Sequence, residues 1–203
     1  MVALTRDGIL RTAVTLADRE GFEAVTLRRI AAELGVHVTS LYNHVATREA
    51  VTDGIIELLL DEAKLPLVAV GWETWVRRFV AGMAELSATH PGAVTALQRR
   101  PVQGARAAAT FEVALAAFRH AGFDPHDAYN AVKATALTAL STGLEQALSV
   151  TGQAPETSVD ELPADQFPQV RLVSALADPE SAWSFSLETL IFGLRTQLRR
   201  RRK

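Results

Sequence analysis

The 203-residue chain contains no cysteine, so it carries neither a disulfide framework nor a thiolate metal site, a usage that fits a reducing compartment. No apolar run approaches the length needed to span a bilayer. The opening residues, MVALTRDGIL, lack a basic start followed by a long apolar stretch, so no signal peptide is expected. The expectation is a soluble, cytoplasmic protein with no membrane partner. Strand pairs are missing as well, because alternating stretches such as LVAV at 67–70 are short and have no hairpin turn beside them. His90, His120 and His126 have no HxxxH or HExxH partner, and no local Ser/His/Asp motif is present. No catalytic residue, metal ligand or cofactor is therefore assigned.

Nor does one sign of charge dominate. The formal net charge of −2 argues against a generic polyanion binder, yet it hides an asymmetry. The last five residues, RRRRK, contribute +5, which leaves residues 1–198 at −7. Residues 1–48 hold six arginines against five acids and are near neutral, while the rest of the body is acidic. Nucleic acid, if bound, would be met by a small local patch. The basic tail also reads as a solvated helix end, where cations favour the helix dipole.

What the sequence does contain is helix punctuation. Thr5 can cap a first helix bearing Ile9, Leu10, Ala13, Val14, Leu16 and Ala17 on one side, stopped at Gly21. Thr26 can cap a second, with Leu27, Ile30, Ala31 and Leu34 at helical spacing and Gly35 supplying a left-handed end. A third covers roughly Val38 to His44, and Thr47 caps a longer fourth. The pattern breaks at LPLVAVG, residues 65–71, where Pro66 cannot continue a helix. A fifth helix runs from Trp72 to the THPG turn, a short one follows Pro91, and a long one ends at Gly122. DPHD at 124–127 and DPES at 178–181 are helix starts, and TGQAPETSVDELPADQFP between them reads as a long loop. The expectation is an all-α chain. Residues 1–48 form a three-helix DNA-binding domain, 49–71 a connecting helix and hinge, and 72–203 a helical ligand-binding and dimerisation domain.

Two short helices joined at a glycine turn, with apolar residues facing a preceding helix, describe a helix-turn-helix. The second helix of that motif lies in the major groove. Thr39 and Ser40 are short enough to let it approach closely, and the Thr39 methyl can meet thymine. Asn43 can read adenine or reach phosphate, while Tyr42, His44 and Arg48 have the length and donors for phosphates at the groove edge. Arg28 can reach a guanine. Leu41 and Val45 are spaced to face the core. Each residue has a plainer reading: Tyr42 packed on the first helix, His44 a surface histidine, Arg28 and Arg29 a solvated face. The combination, after a glycine turn, favours DNA.

The segment GFEAVTLRRIAAELGVHVTSLYNHVATREAVTDGI resembles the DNA-binding segment of the TetR (tetracycline repressor) family of one-component regulators. It shares that family's Gly21-Phe22, Thr26, Ile30-Ala31, Gly35-Val36, Leu41-Tyr42, His44 and a basic residue at Arg48. The resemblance implies that Arg28, Thr39, Ser40, Tyr42, Asn43, His44 and Arg48 face double-stranded operator DNA. His37 stands where many members place a serine or threonine cap, and it either weakens the third helix or adds a phosphate contact of its own. Further along, RRP at 99–101, AGF at 121–123, GLE at 143–145 and FSLETLIFGLRTQL at 185–198 resemble the tetracycline repressors' effector domain.

That second resemblance implies a homodimer joined by a four-helix bundle, two helices from each subunit. The small residues Ala128, Ala131, Thr135, Ala139 and Gly143, and the apolar Leu187, Leu190, Ile191 and Leu194, suit either such an interface or the chain's own core. In the tetracycline repressors a histidine five positions before the RRP proline ligates drug-borne magnesium; that position is Ala96 here, so no magnesium–tetracycline binding is expected. Phe79, Met83, Leu86, Leu97, Phe111 and Leu115, with Arg100 and Glu145 as polar anchors, suit an apolar or amphipathic small-molecule effector. The function so implied is a ligand-responsive transcriptional repressor that binds a palindromic operator as a dimer. The alternative is a helical carrier or enzyme in which the DNA-binding head is secondary.

Overall fold

The computed structural model describes residues 4–99, 104–151, 162–163, 165–174 and 179–201; Arg100, Asp178 and residues 152–161 of the proposed loop lie outside them. Among the described residues there are ten α-helices and no strand. Four build the head: α1 (Arg6–Glu20), α2 (Leu27–Glu33), α3 (Val38–Leu41) and α4 (Arg48–Glu62). Six build the body: α5 (Trp72–Thr89), α6 (Ala96–Arg99), α7 (Ala105–Ala121), α8 (Pro125–Thr151), α9 (Pro168–Ser174) and α10 (Pro179–Arg201).

The caps stand where the sequence puts them. The hydroxyls of Thr5, Thr26 and Thr47 accept the amides of Gly8, Arg29 and Ala50, each at 3.1 Å, satisfying donors that a helix start otherwise leaves open. After α2 the chain reverses at Gly35 with φ 65, a left-handed conformation that costs a residue with a Cβ about 1–2 kcal/mol. The third helix is shorter than the sequence suggests. Its α-helical part ends at Leu41, whose carbonyl accepts both the His44 and Val45 amides at 2.9 and 2.8 Å. The chain then turns toward the cap of α4, and Tyr42, Asn43 and His44 sit in that turn. Nor does the sequence announce α9, a two-turn helix opened by Pro168.

The head's core is Ile9, Leu10, Ala13, Val14, Phe22, Val25, Ile30, Leu41 and Val45, closed by Val51 and Ile55 of α4. Leu59 and Leu60, one turn further along α4, belong equally to the body, so a single hydrophobic core runs through both halves. In the body, α5 lies along α8, and Trp72, Trp75, Phe118 and Phe123 form an aromatic knot with Trp72–Phe118 and Phe118–Phe123 centroids 5.5 and 5.3 Å apart. The long α10 is clamped onto α5 by Arg195 to Glu73 at 2.5 Å and by the Arg77–Glu188 ion pair.

This packing settles a choice that the sequence leaves open. Ala128, Ala131, Thr135 and Ala139 of α8, and Leu187, Ile191 and Leu194 of α10, are buried inside the subunit. They are the chain's own core. Among the described residues, the large hydrophobic side chains left exposed on these helices are Tyr129, Leu137, Phe185 and Phe192, the last three at 63%, 73% and 70% exposure.

Candidate nucleic-acid interface and ligand cavity

The first turn of α3 is held from both ends. His37 caps it with a ring instead of a hydroxyl: Nδ1 accepts the Thr39 amide at 3.4 Å and lies 2.8 Å from Thr39 Oγ1. Leu41 and Val45 anchor the segment in the core at 0% and 2% exposure. That register leaves Thr39, Tyr42, Asn43 and His44 exposed and Ser40 half-buried on one protruding turn. Tyr42 is 52% exposed, so its ring is not spent on packing against α1.

The arginines divide by partner. Arg19 and Arg29 are bound into a network with Glu20 and Glu33: Arg29 to Glu20 at 2.7 Å, Arg19 to Glu33 at 2.8 Å and Arg19 to Glu20 at 2.8 Å. The network ties the end of α1 to α2. Arg29 first and Arg19 second pull the Glu20 carboxyl from its ordinary value near 4.5 to about 2. Arg28, next in sequence to Arg29, is exposed and has no ion pair among the described residues. Its guanidinium is therefore available to a ligand of opposite charge. Arg48 is shared: its guanidinium lies 3.3 Å from Glu23, and Glu23 is held at 2.6 Å by Arg99 at the end of α6. Arg99 and then Arg48 hold the Glu23 carboxyl below its usual range. Arg99 also stacks 5.2 Å over the ring of Phe22.

A second joint lies at Asp18 on α1. Its carboxylate accepts the backbone amides of Gly92 and Ala93 at 3.0 and 2.9 Å and lies 2.7 Å from His90 Nδ1. His90 Nε2 lies 3.0 Å from Glu62 at the end of α4. The joint requires glycine at 92, because a Cβ there would stand 2.0 Å from the Ala17 carbonyl oxygen. Head and body are thus locked at two places, one of them reaching Arg48 through a single carboxylate.

The body contains a cavity of about 710 Å³, lined from α5 by Trp75, Phe79 and Met83, from α6 by Leu97, from α7 by Thr110 and Phe111, and from α8 by Tyr129, Lys133 and Ala136. Leu60 of α4 and Leu65 just beyond it also reach its wall. Four residues nominated from the sequence, Phe79, Met83, Leu97 and Phe111, line this space. Leu86, Leu115 and Glu145 are not among the lining residues: Leu86 is buried one turn further along α5, Leu115 is half-buried, and Glu145 is exposed. Ala96 is fully buried in the core and presents only a methyl group. The sequence reading missed Trp75, Tyr129 and Lys133. Tyr129, Val132, Lys133, Ala136 and Leu140 share one helical face, and a lone lysine on such a face was the available signal.

The family model described as bacterial regulatory proteins, tetR family, matches residues 9–53. An HTH-type transcriptional regulator of Saccharopolyspora erythraea is 35% identical over 125 residues, which cover 61% of this chain and 53% of that protein. The chain thus spans about half the length of that relative. The class C tetracycline repressor protein of Escherichia coli is 32% identical over 213 residues, covering 96% of this chain and 92% of the repressor. The crystal structure of the TetR family protein ActR of Streptomyces coelicolor in complex with (S)-DNPA matches with a TM-score of 0.80 at 25% identity, over 97% of this chain and 100% of that one.

Proposed function

The chain belongs to the TetR family of bacterial regulatory proteins, and from that premise we propose that it is a ligand-responsive transcriptional repressor acting as a homodimer on a palindromic operator. The observation that carries this reading is the protruding turn Val38–His44, which is anchored by buried Leu41 and leaves Thr39, Tyr42, Asn43 and His44 exposed, with Val38 and Ser40 half-buried. Its relatives are transcriptional regulators, and the helical-enzyme reading has no comparable support.

In this account each head enters a major groove with Thr39, Ser40 and Asn43 toward base edges. His37, Tyr42, His44 and Arg48 hold phosphates, and Arg28 reaches a guanine beside them. Two heads on one face of the duplex need half-sites about 34–36 Å apart or a deformed duplex. The dimer forms through α8 and α10, whose outward Leu137, Phe185 and Phe192 would otherwise remain in water.

The effector occupies the cavity of the body, a reading supported by the ligand-bound state of ActR. It acts through differential affinity for two head positions, since equal affinity would shift nothing. Two levers reach the head from the cavity wall. Leu60 belongs to the end of α4, which begins at Arg48, Leu65 follows just beyond that helix, and Leu97 belongs to α6, whose Arg99 holds Glu23 and through it Arg48. Magnesium–tetracycline is not the effector of this account, because Ala96 offers no ligand atom and Glu145 does not line the cavity.

Selection from a random-sequence duplex pool with the purified chain tests the proposal. The expected product is an inverted repeat with half-site centres about one helical turn apart. Recovery of no common motif, or of one without two-fold symmetry, would overturn it.

A further inference from the structure

Within the protruding turn the Thr39 hydroxyl has a fixed orientation, and His37 fixes it. Threonines in the interior of the helices donate their hydroxyl proton to the carbonyl four residues back: Thr52 to Arg48 at 3.0 Å, Thr110 to Arg106 at 3.1 Å and Thr135 to Ala131 at 2.8 Å. Thr39 stands in the first turn of α3, after the reversal at Gly35, where no helical carbonyl lies behind it. Its Oγ1 lies instead 2.8 Å from His37 Nδ1.

Either atom of that contact can carry the hydrogen, and the backbone decides which does. The Thr39 amide also donates to Nδ1, at 3.4 Å. A proton on Nδ1 would meet that amide hydrogen head-on, so Nδ1 is the acceptor and the ring proton sits on Nε2. The hydrogen between ring and hydroxyl therefore belongs to Thr39. With its proton spent, the exposed Thr39 offers only oxygen lone pairs to whatever approaches it.

In a major groove that polarity selects among bases. Adenine N6 and cytosine N4 offer an amino donor where guanine O6 and thymine O4 offer an acceptor. A donor meets Oγ1 productively. An acceptor leaves both oxygens stripped of water and unpaired, which costs more than a hydrogen bond merely absent. One acceptor cannot tell an adenine amine from a cytosine amine, so it reads a class of base.

We infer that His37 sets the base class that Thr39 reads: a base with an amino group in the major groove, adenine or cytosine, at one position of each half-site. The inference rests on the reading of this turn as the DNA reader. His37 acts through Thr39 as a positioning residue, and its Nε2–H, on an exposed ring, is left for a phosphate.

Selection from the random-sequence duplex pool with the parent chain and with Thr39→Val finds the position, because the base preference that valine abolishes is the one Thr39 reads. The parent should take adenine or cytosine there alike, and in anisotropy titrations guanine or thymine in both half-sites should weaken binding about tenfold or more. His37→Asn, whose Oδ1 stands as far beyond Cβ as Nδ1 does, should keep this preference. His37→Ser still caps α3, but its hydroxyl is one bond shorter and releases the Thr39 proton, so all four bases should bind within about threefold of one another. Heteronuclear NMR of the ring nitrogens in the DNA-free chain reads the tautomer separately, with the proton expected on Nε2.

A neutral ring protonated at Nδ1 would overturn the inference. So would a Thr39-dependent position that takes guanine, or thymine met by the threonine methyl, and so would the absence of any position that responds to Thr39→Val. A serine variant with the parent's preference, or an asparagine variant without it, would do the same. Recovery of no common motif would overturn the operator reading itself and this inference with it, a failure distinct from the others.

Discussion

Replacing Phe192 by serine separates the outer face of α10 from its inner one. Phe192 is 70% exposed in the single subunit, whereas its neighbour Ile191 is fully buried against the chain's own core. A polar residue at 192 should therefore leave the subunit folded and act on assembly alone. The exposed share of the ring is roughly 120 Å² of apolar surface, which at ~25 cal/mol per Å² gives about 3 kcal/mol when a partner covers it. A two-fold interface contains the residue twice, so the dimer should weaken by about 4–6 kcal/mol, a factor of roughly 10³–10⁴ in its dissociation constant. Sedimentation equilibrium across a concentration series reads this directly, with circular dichroism confirming unchanged helix content. Phe192→Leu, which keeps most of the apolar area, should recover most of the association. A serine variant that associates within tenfold of the parent would refute an interface built on the outer face of α10.

Other consequences follow from the same geometry. Arg28→Ala should weaken operator binding by about 1–3 kcal/mol and relax preference at one base pair, whereas Arg29→Ala should chiefly loosen the head, because Arg29 is already held by Glu20; binding and thermal melting measured on both variants separate the roles. Gly92→Ala would force a Cβ to within 2.0 Å of the Ala17 carbonyl oxygen, and should destabilise the head–body joint by about 3 kcal/mol, at the upper end of overpacking costs, read as a lowered denaturation midpoint. The Glu20 carboxyl is depressed to about 2 in the folded chain, so its stabilising effect is complete above pH 4.5 and disappears as pH falls toward 2. The melting temperatures of parent and Glu20→Gln should differ at neutral pH and converge in acid. A constant difference across that window would contradict the network.

The head was largely legible because its signals are local. Three threonine caps, the φ-positive glycine at 35 and the buried spacing of Leu41 and Val45 are properties of a few adjacent residues. The length of α3 was less so, since the double acceptance at the Leu41 carbonyl depends on where the chain must go to reach Thr47. In the body the difficulty was partnership. Leu187, Ile191 and Leu194 read equally well as interface or interior, and only the packing of α10 on α5 and α8 assigns them inward and Phe185 and Phe192 outward. The cavity shows the same limit. Hydrophobic spacing found Phe79, Met83, Leu97 and Phe111, but whether an apolar residue borders empty space or another side chain is decided by five helices at once. The joints at Asp18 and Glu23 join residues about 70 positions apart, which no local pattern announces.

The central claim is that the turn from His37 to His44 reads DNA sequence, and fluorescence-anisotropy titration tests it most directly. The selected inverted repeat and a scrambled duplex of equal length and composition are compared at one fixed salt concentration near physiological. The account predicts that the repeat binds at least about 10³-fold tighter, and that Thr39→Ala with Asn43→Ala removes most of the difference while leaving the scrambled duplex unaffected. Equal affinity for the two duplexes would contradict it.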